Sequence, residues 1–315
     1  MRAARPPLTR PDDFFAFWSG TRDALARTPA TPRFGIPVTS PEGARVLPVR
    51  FASLGGCDIQ GFLVTPDAAA RDSARAGRRA LVVTTHGYNS QCNPVLEARH
   101  AAACGADLLC FDVRGFGLSR GGCAIDPRGY VLTGLADPRT SILRGAVCDF
   151  VRAAEVARLL HAGGGGTVFH GRSFGGSLAL MAQVVSGAAD YLAVAVPTFG
   201  WAAGRRRLAR AGSGQEINDH LARHPSEEGA VMRTLAYFDT VNFADRVGCR
   251  ALVGVGLHDE VVPPATVYAI ANHMVPRPEV MELPVSHTED VEERHWVQFD
   301  SRWTAAVAAG LAGGA

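Results

Sequence analysis

The chain has 315 residues, enough for one large domain or two small ones around a substantial core. Hydrophobic residues make up 47%, charged residues 20%, and the formal net charge is +2, a balance that suits a soluble globular protein and gives no electrostatic footprint for nucleic acid. No apolar run reaches the ~18 residues of a membrane span, and "MRAARPPLTRPDD" has no apolar core of a secretory signal.

In chain order, residues 1–43 are proline-rich and carry the aromatic cluster "FFAFW" at 14–18, which predicts a short helix pinning an N-terminal arm to the body. The β-rich runs "ARVLPVRFAS" (44–53) and "DIQGFLVTP" (58–66), separated by "LGG", predict an antiparallel hairpin at the leading edge of a sheet. Six further runs follow: "ALVVTTHG" (80–87), "DLLCFDVRG" (107–115), "TVFHG" (167–171), "YLAVAVP" (191–197), "ALVGVGLHD" (251–259) and "EVMELPV" (279–285). Between most of them lie helix-length segments such as 142–162, with apolar residues recurring at three and four. Continuous apolar strands alternating with amphipathic helices predict a mostly parallel, twisted sheet covered on both faces. The reading is therefore one α/β domain over 1–315, interrupted at 200–245 by a mostly helical insertion near the strand ends where active sites gather. The arginine run "GRRRLAR" at 204–210 is read as a solvated helix face.

Seven cysteines (57, 92, 104, 110, 123, 148 and 249) are an odd number without C-x-x-C spacing, and several sit in apolar runs. Free buried thiols and a cytoplasmic location are expected.

Chemistry concentrates at "HGRSFGG". Ser173 follows the strand "TVFHG" and precedes the helix-like "FGGSLALMAQVV", so it occupies a strand-to-helix turn, with Gly171 and Gly175 leaving room for a sharp bend. That is the sequence form of a nucleophile elbow. A serine needs a histidine base and a carboxylate to orient it, in the order Ser, Asp or Glu, His for this architecture. Asp259 follows one strand and His287 the next. Asp239 and Asp290 are weaker candidates for the acid, as are His258 and His295 for the base. Donors for the oxyanion are expected from the backbone N–H groups of Phe174, just after the nucleophile, and Tyr88, in the loop after "ALVVT". His220 and His224 have i, i+4 spacing, but "HLARH" lacks a zinc-site glutamate and a third ligand, so neither metal nor organic cofactor is expected. The glycines at 115 and 117 do not fit a dinucleotide-binding turn, because the next glycine is wrongly spaced and no helix follows.

With "PDDFFAFW", "RGFGLS", "LRGAVCDFVRA", "GRSFGG", the block at 237–273 and "VSH", the chain resembles the acetyl xylan esterase and cephalosporin-C deacetylase family (carbohydrate esterase family 7) of the α/β-hydrolase superfamily. The resemblance implies an α/β-hydrolase fold, nucleophile Ser173, acid Asp259, base His287 and the oxyanion pair Tyr88 and Phe174. It also implies a cytoplasmic homo-oligomer, often a hexamer. The sequence departs from the family where R-G-Q becomes Arg114-Gly115-Phe116, where G-G-S-Q-G-G becomes "GRSFGG", and where His287 is followed by Thr288 in place of Glu. Two phenylalanines in place of glutamines predict a less polar pocket, with Phe116, Arg172 and Trp201 as candidate lining residues. The expected activity is hydrolysis of acetyl or other short acyl esters of a small molecule. Two alternatives are the same triad acting on a thioester, amide or lactone, and a non-catalytic binding protein of this fold.

Overall fold

The structure is a computed structural model, and it describes residues 1–67, 79–161, 164–287 and 294–310. Its centre is a ten-stranded mixed sheet: β1 (Arg33–Phe34), β2 (Val38–Thr39), β3 (Arg45–Ala52), β4 (Asp58–Thr65), β5 (Leu81–Thr85), β6 (Asp107–Asp112), β7 (Thr167–Arg172), β8 (Tyr191–Ala195), β9 (Arg250–Gly256) and β10 (Glu279–Leu283). The order across the sheet is β1-β3-β4-β6-β5-β7-β8-β9-β10, with β2 paired to β3. The expected hairpin is present, β3 and β4 running antiparallel from Arg45 opposite Thr65 to Ala52 opposite Asp58. From β6 to β10 every pairing is parallel. The two-residue strands β1 and β2 were not anticipated: the arm also extends the leading edge by pairing with β3.

Strand residues alternate between two helical layers. On β7, Phe169 packs against Phe150 of the helix Ile142–Leu160 at 5.0 Å between ring centroids, while the next residue, His170, stacks at 4.6 Å on Trp303 of the final helix Arg294–Ala308. The first layer also holds Phe14–Ala26 and Phe174–Ser186, and the second Pro94–Cys104. Burial on both faces explains why β5 to β8 read as continuous apolar runs.

Local signals fix the helix ends. Asn93 accepts hydrogen bonds from the amides of Val95 and Leu96, Pro94 opens the helix, and Gly105 closes it at φ 62°. The "FFAFW" cluster does form a helix, Phe14–Ala26, whose Phe14, Trp18 and Leu25 are buried. Trp18 also donates from Nε1 to the Tyr237 carbonyl. The insertion is helical at Ala202–Leu208, Gly212–Arg223, Glu228–Ala236 and Val241–Ala244. Within its arginine run the expectation of a solvated face fails at one position. Arg205 is buried, donating to Ser213 Oγ at 2.7 Å and lying 4.9 Å over the Phe199 ring, because it faces the next helix of the insertion while Arg207 and Arg210 face solvent.

Candidate active site

Ser173 has φ 55° and ψ −115°, a left-handed conformation that costs a non-glycine residue about 1–3 kcal/mol and persists only where the surroundings impose it. They impose it through the backbone. The Ser173 amide donates to the Ala195 carbonyl at 2.8 Å, and the Ser173 carbonyl accepts from the amides of Ser177 at 3.1 Å and Thr198 at 3.4 Å. The glycines make the bend sterically feasible. A Cβ on Gly171 would lie 2.5 Å from the Gly175 carbonyl oxygen and 2.7 Å from the Gly176 nitrogen, and one on Gly175 would lie 2.6 Å from the Thr85 carbonyl oxygen. Chain thus crosses chain with no space for a methyl group, and the serine is turned out at the start of the helix Phe174–Ser186.

Asp259 and His287, the expected acid and base, follow strands two and three places along the sheet. Hydrogen bonds continue beyond the strand ends, from the Val196 amide to Gly254 O (2.8 Å), Leu257 to Leu283 O (2.9 Å) and His258 to Val285 O (3.1 Å). The loops bearing Ser173, Asp259 and His287 therefore leave one edge together. Asp259 Oδ2 accepts from His287 Nδ1 at 2.8 Å. Its other oxygen, Oδ1, accepts from the amides of Val261 (2.9 Å) and Val262 (2.7 Å). With the Asp259 side chain fully buried and both oxygens occupied, the carboxylate is fixed. Because a carboxylate only accepts, Nδ1 of His287 carries the proton and Nε2 is the nitrogen with basic character.

Tyr88 lies in the turn after β5, and Phe174 is the first residue of the elbow helix. Among the described residues neither backbone amide has an acceptor. His86 braces the same turn: its Nε2 accepts from the Val113 amide at 3.1 Å, which leaves Nδ1 to donate to the Gly87 carbonyl at 2.7 Å. Burial lowers the pKa of His86, favouring the neutral ring that this pairing requires.

The pocket candidates separate. The Phe174 ring is fully buried and Phe116 is 8% exposed, both within an aromatic cluster with Tyr88 and Tyr130 at centroid distances of 4.4–6.1 Å. The Phe174 ring therefore backs the turn that carries Tyr88. Arg172 is directed at the final helix, donating to Asp300 Oδ2 at 3.3 Å and lying 4.3 Å over Trp296. Trp201, at φ 53°, stands at the head of the insertion. Its amide and that of Ala202 donate to the buried Asp239, whose pKa burial raises to about 6 against those hydrogen bonds. Asp239 thus serves the backbone of the insertion. Thr288 and Asp290 lie outside the described residues. His220 Nε2 is paired with Glu227 at 2.9 Å.

Sequence reading missed a second polar cluster, behind β7. His100 Nδ1 contacts Glu97 Oε2 at 2.9 Å, its Nε2 lies 3.4 Å from Asp300 Oδ2, and His170 Nδ1 contacts Thr84 Oγ1 at 2.9 Å. Glu97 and His100 do stand three apart on one helix, but the partners at 170 and 300 leave no local signal.

The sequence profile of the acetyl xylan esterase family (AXE1) matches residues 1–302. The chain belongs to that family. A curated relative, acetyl esterase Axe7A of Xylanibacter ruminicola, is 28% identical over 177 residues, which are 56% of this chain and 38% of that protein; the chain thus spans under two fifths of the relative's length. Among solved structures, acetyl xylan esterase from Paenibacillus sp. R4 superposes with a TM-score of 0.84 at 25% identity, covering 97% of this chain and 98% of that one. Acetyl xylan esterase 1 from Thermoanaerobacterium sp. JW/SL YS485 gives 0.80 at 22% identity over 96% of each chain, a likeness of fold. Within the acetyl xylan esterase family the α/β-hydrolase fold expected from the sequence is therefore the observed one.

Proposed function

We propose that the chain is a serine carboxylic-ester hydrolase acting on acetyl or other short acyl esters of a small molecule. The observation that carries this reading is the Asp259–His287 hydrogen bond at the strand ends, on the same edge as a serine in a left-handed elbow. Neighbouring strands lie about 4.8 Å apart, so Ser173 and Asp259 leave strands separated by about 10 Å, a span that an imidazole between them bridges. In the first half-reaction Ser173 Oγ attacks the ester carbonyl while His287 Nε2 takes its proton. Asp259 stabilises the imidazolium, and the amides of Tyr88 and Phe174 hold the oxyanion. His287 then protonates the departing alcohol. Water, deprotonated by the same nitrogen, attacks the acyl-enzyme and releases the carboxylate and free Ser173.

Family membership supports acetyl as the acyl group. The test is a panel of acetylated sugars and aryl esters from acetyl to octanoyl, with matched thioesters and amides, run on the wild type and Ser173→Ala. The reading predicts acetyl-ester turnover that vanishes in the variant. Turnover that survives the substitution, or is confined to amides or thioesters, would overturn it.

A homo-oligomer working in the cytoplasm is part of the same proposal. Its support is the exposed apolar trio Phe34, Ile36 and Val38 beside the first sheet edge, 50%, 85% and 59% accessible, a patch that a second copy would cover. Light scattering on the eluted protein tests it: a monomer removes that part. No helix among the described residues is long and apolar enough to cross a membrane.

A further inference from the structure

The Tyr88 phenol is tied to the helical insertion. Its hydroxyl donates to Glu216 Oε2 at 2.7 Å and accepts from the Val131 amide at 3.2 Å. Glu216 lies on the insertion helix Gly212–Arg223, 128 residues further along the chain. It packs against Gly129, where a Cβ would stand 2.5 Å from Glu216 Oε2, so the carboxylate is seated against backbone. The Tyr88 ring is gripped edge-on by Phe116, Tyr130 and Phe174 at 5.6–5.8 Å. The next residue, Asn89, has φ 54°, so the turn is held in a conformation that an unanchored chain would tend to leave.

From this arrangement we infer that Glu216 is a positioning residue for ester hydrolysis: through the Tyr88 hydroxyl it fixes the turn whose Tyr88 amide stabilises the oxyanion. The inference rests on the reading of Ser173 as nucleophile and the Tyr88 amide as oxyanion donor. Oxyanion donors act by being aimed, before reaction, at the place where charge develops, and removing one outright costs about 10²–10³ in kcat. Glu216 leaves the amide in place and removes one of its restraints, so its loss has a smaller effect, one that falls on the transition state more than on substrate binding. Burial, and then the hydrogen bond to Glu216, push the Tyr88 phenol well above its usual range, so it stays a donor wherever the protein is folded. Arg205, buried beneath the same helix, adds positive charge near both groups without forming an ion pair with Glu216.

The test compares Glu216→Ala, Glu216→Gln, Tyr88→Phe and the double variant Tyr88→Phe/Glu216→Ala with Ser173→Ala on an acetyl ester. The expected results are a kcat about tenfold lower with KM within twofold for Glu216→Ala, a similar loss for Tyr88→Phe, and a double variant no worse than the poorer single one. A boronic-acid mimic of the tetrahedral adduct should bind about tenfold more weakly to Glu216→Ala. Glutamine, which keeps an acceptor for the phenol, should restore most of kcat, a rescue that a purely structural role for the charge would not give. Should Glu216→Ala fail to fold, Tyr88→Phe and Glu216→Gln carry the comparison. Unchanged kcat and boronate affinity in Glu216→Ala and Tyr88→Phe, or losses that multiply in the double variant, would overturn the inference while Ser173→Ala stays inactive. Turnover by Ser173→Ala would instead bring down the underlying reading, and this inference with it.

Discussion

Asp259→Asn separates the charge of the acid from its shape. In the wild type Oδ1 is held by two backbone donors, the amides of Val261 and Val262, and Oδ2 receives the proton of His287 Nδ1. Asparagine has one acceptor and one donor group. Placing its NH2 against the two amides would oppose donor to donor and leave both amides unpaired in a buried site, so the carbonyl oxygen stays there and the NH2 faces His287. The imidazole must then accept at Nδ1 and carry its proton on Nε2, the tautomer unable to take a proton from Ser173. The same inversion in the serine-protease triad lowers kcat by about 10⁴, or about 5 kcal/mol of transition-state stabilisation. The expectation here is the same order of loss in kcat, with KM little changed and a melting temperature within a few degrees of wild type, because the side chain keeps its volume and its three hydrogen bonds, the one to His287 reversed in direction. Steady-state hydrolysis of an aryl acetate near neutral pH, with a thermal melt on the same sample, makes the measurement. A kcat within tenfold of the wild type would refute the claim that Asp259 dictates the tautomer of His287.

Gly171→Ala should destabilise the fold by about 3 kcal/mol or more, read as a lower urea midpoint, because the new methyl group meets the backbone of Gly175 and Gly176. Asp149→Ala strands the buried Arg114 guanidinium, which donates to Asp149 from both Nε (2.9 Å) and Nη2 (2.7 Å), and should cost about 3–5 kcal/mol in the same assay. Stability should also fall in alkali through His100. Burial opposes its charge, but the hydrogen bonds to Asp300 and Glu97 outweigh burial and raise its pKa to about 10. A folded pKa above the unfolded value of about 6.5 gives a contribution that is complete below pH ~6.5 and is lost as the pH rises through about 10. Urea midpoints across that window should drop more steeply in the wild type than in His100→Gln; parallel curves would contradict the assignment. On the acid side, burial holds His170 neutral with a pKa of about 3, so the unfolded chain takes up a proton that the folded one refuses as the pH drops below about 6.5.

The parts legible in the sequence are those fixed by local sterics or by strand order. Crowding at Gly171 comes from Gly175 and Gly176, only a few positions on, so that part of the elbow is written into "HGRSFGG", whereas Gly175 is crowded by the carbonyls of Thr85 and His86 at the end of a distant strand. The meeting of Asp259 and His287 is legible because each follows an apolar run, and the parallel sheet brings successive strand ends to one edge. What stayed hidden depends on partners far along the chain. Strands β1 and β2 have two residues each, too few for any periodicity, and exist because β3 offers an edge. Arg205 reads like its neighbours Arg206 and Arg207, and only the packing of the insertion buries it. The contacts of Tyr88 with Glu216 and of Arg172 with Asp300 each span 128 residues. That the Phe174 ring is fully buried against Tyr88 and Tyr130 is likewise hidden, because a sequence gives a residue's place on the chain but not which way its ring turns.

The central claim is that Ser173 is the nucleophile activated by His287. It is tested most directly by treating the folded protein with a fluorophosphonate and locating the adduct by peptide mass spectrometry, alongside His287→Ala. The account predicts one stoichiometric adduct on the peptide containing Ser173, formed far more slowly in His287→Ala. An unmodified Ser173 in protein that still hydrolyses acetyl esters, or labelling at the same rate without the imidazole, would contradict it.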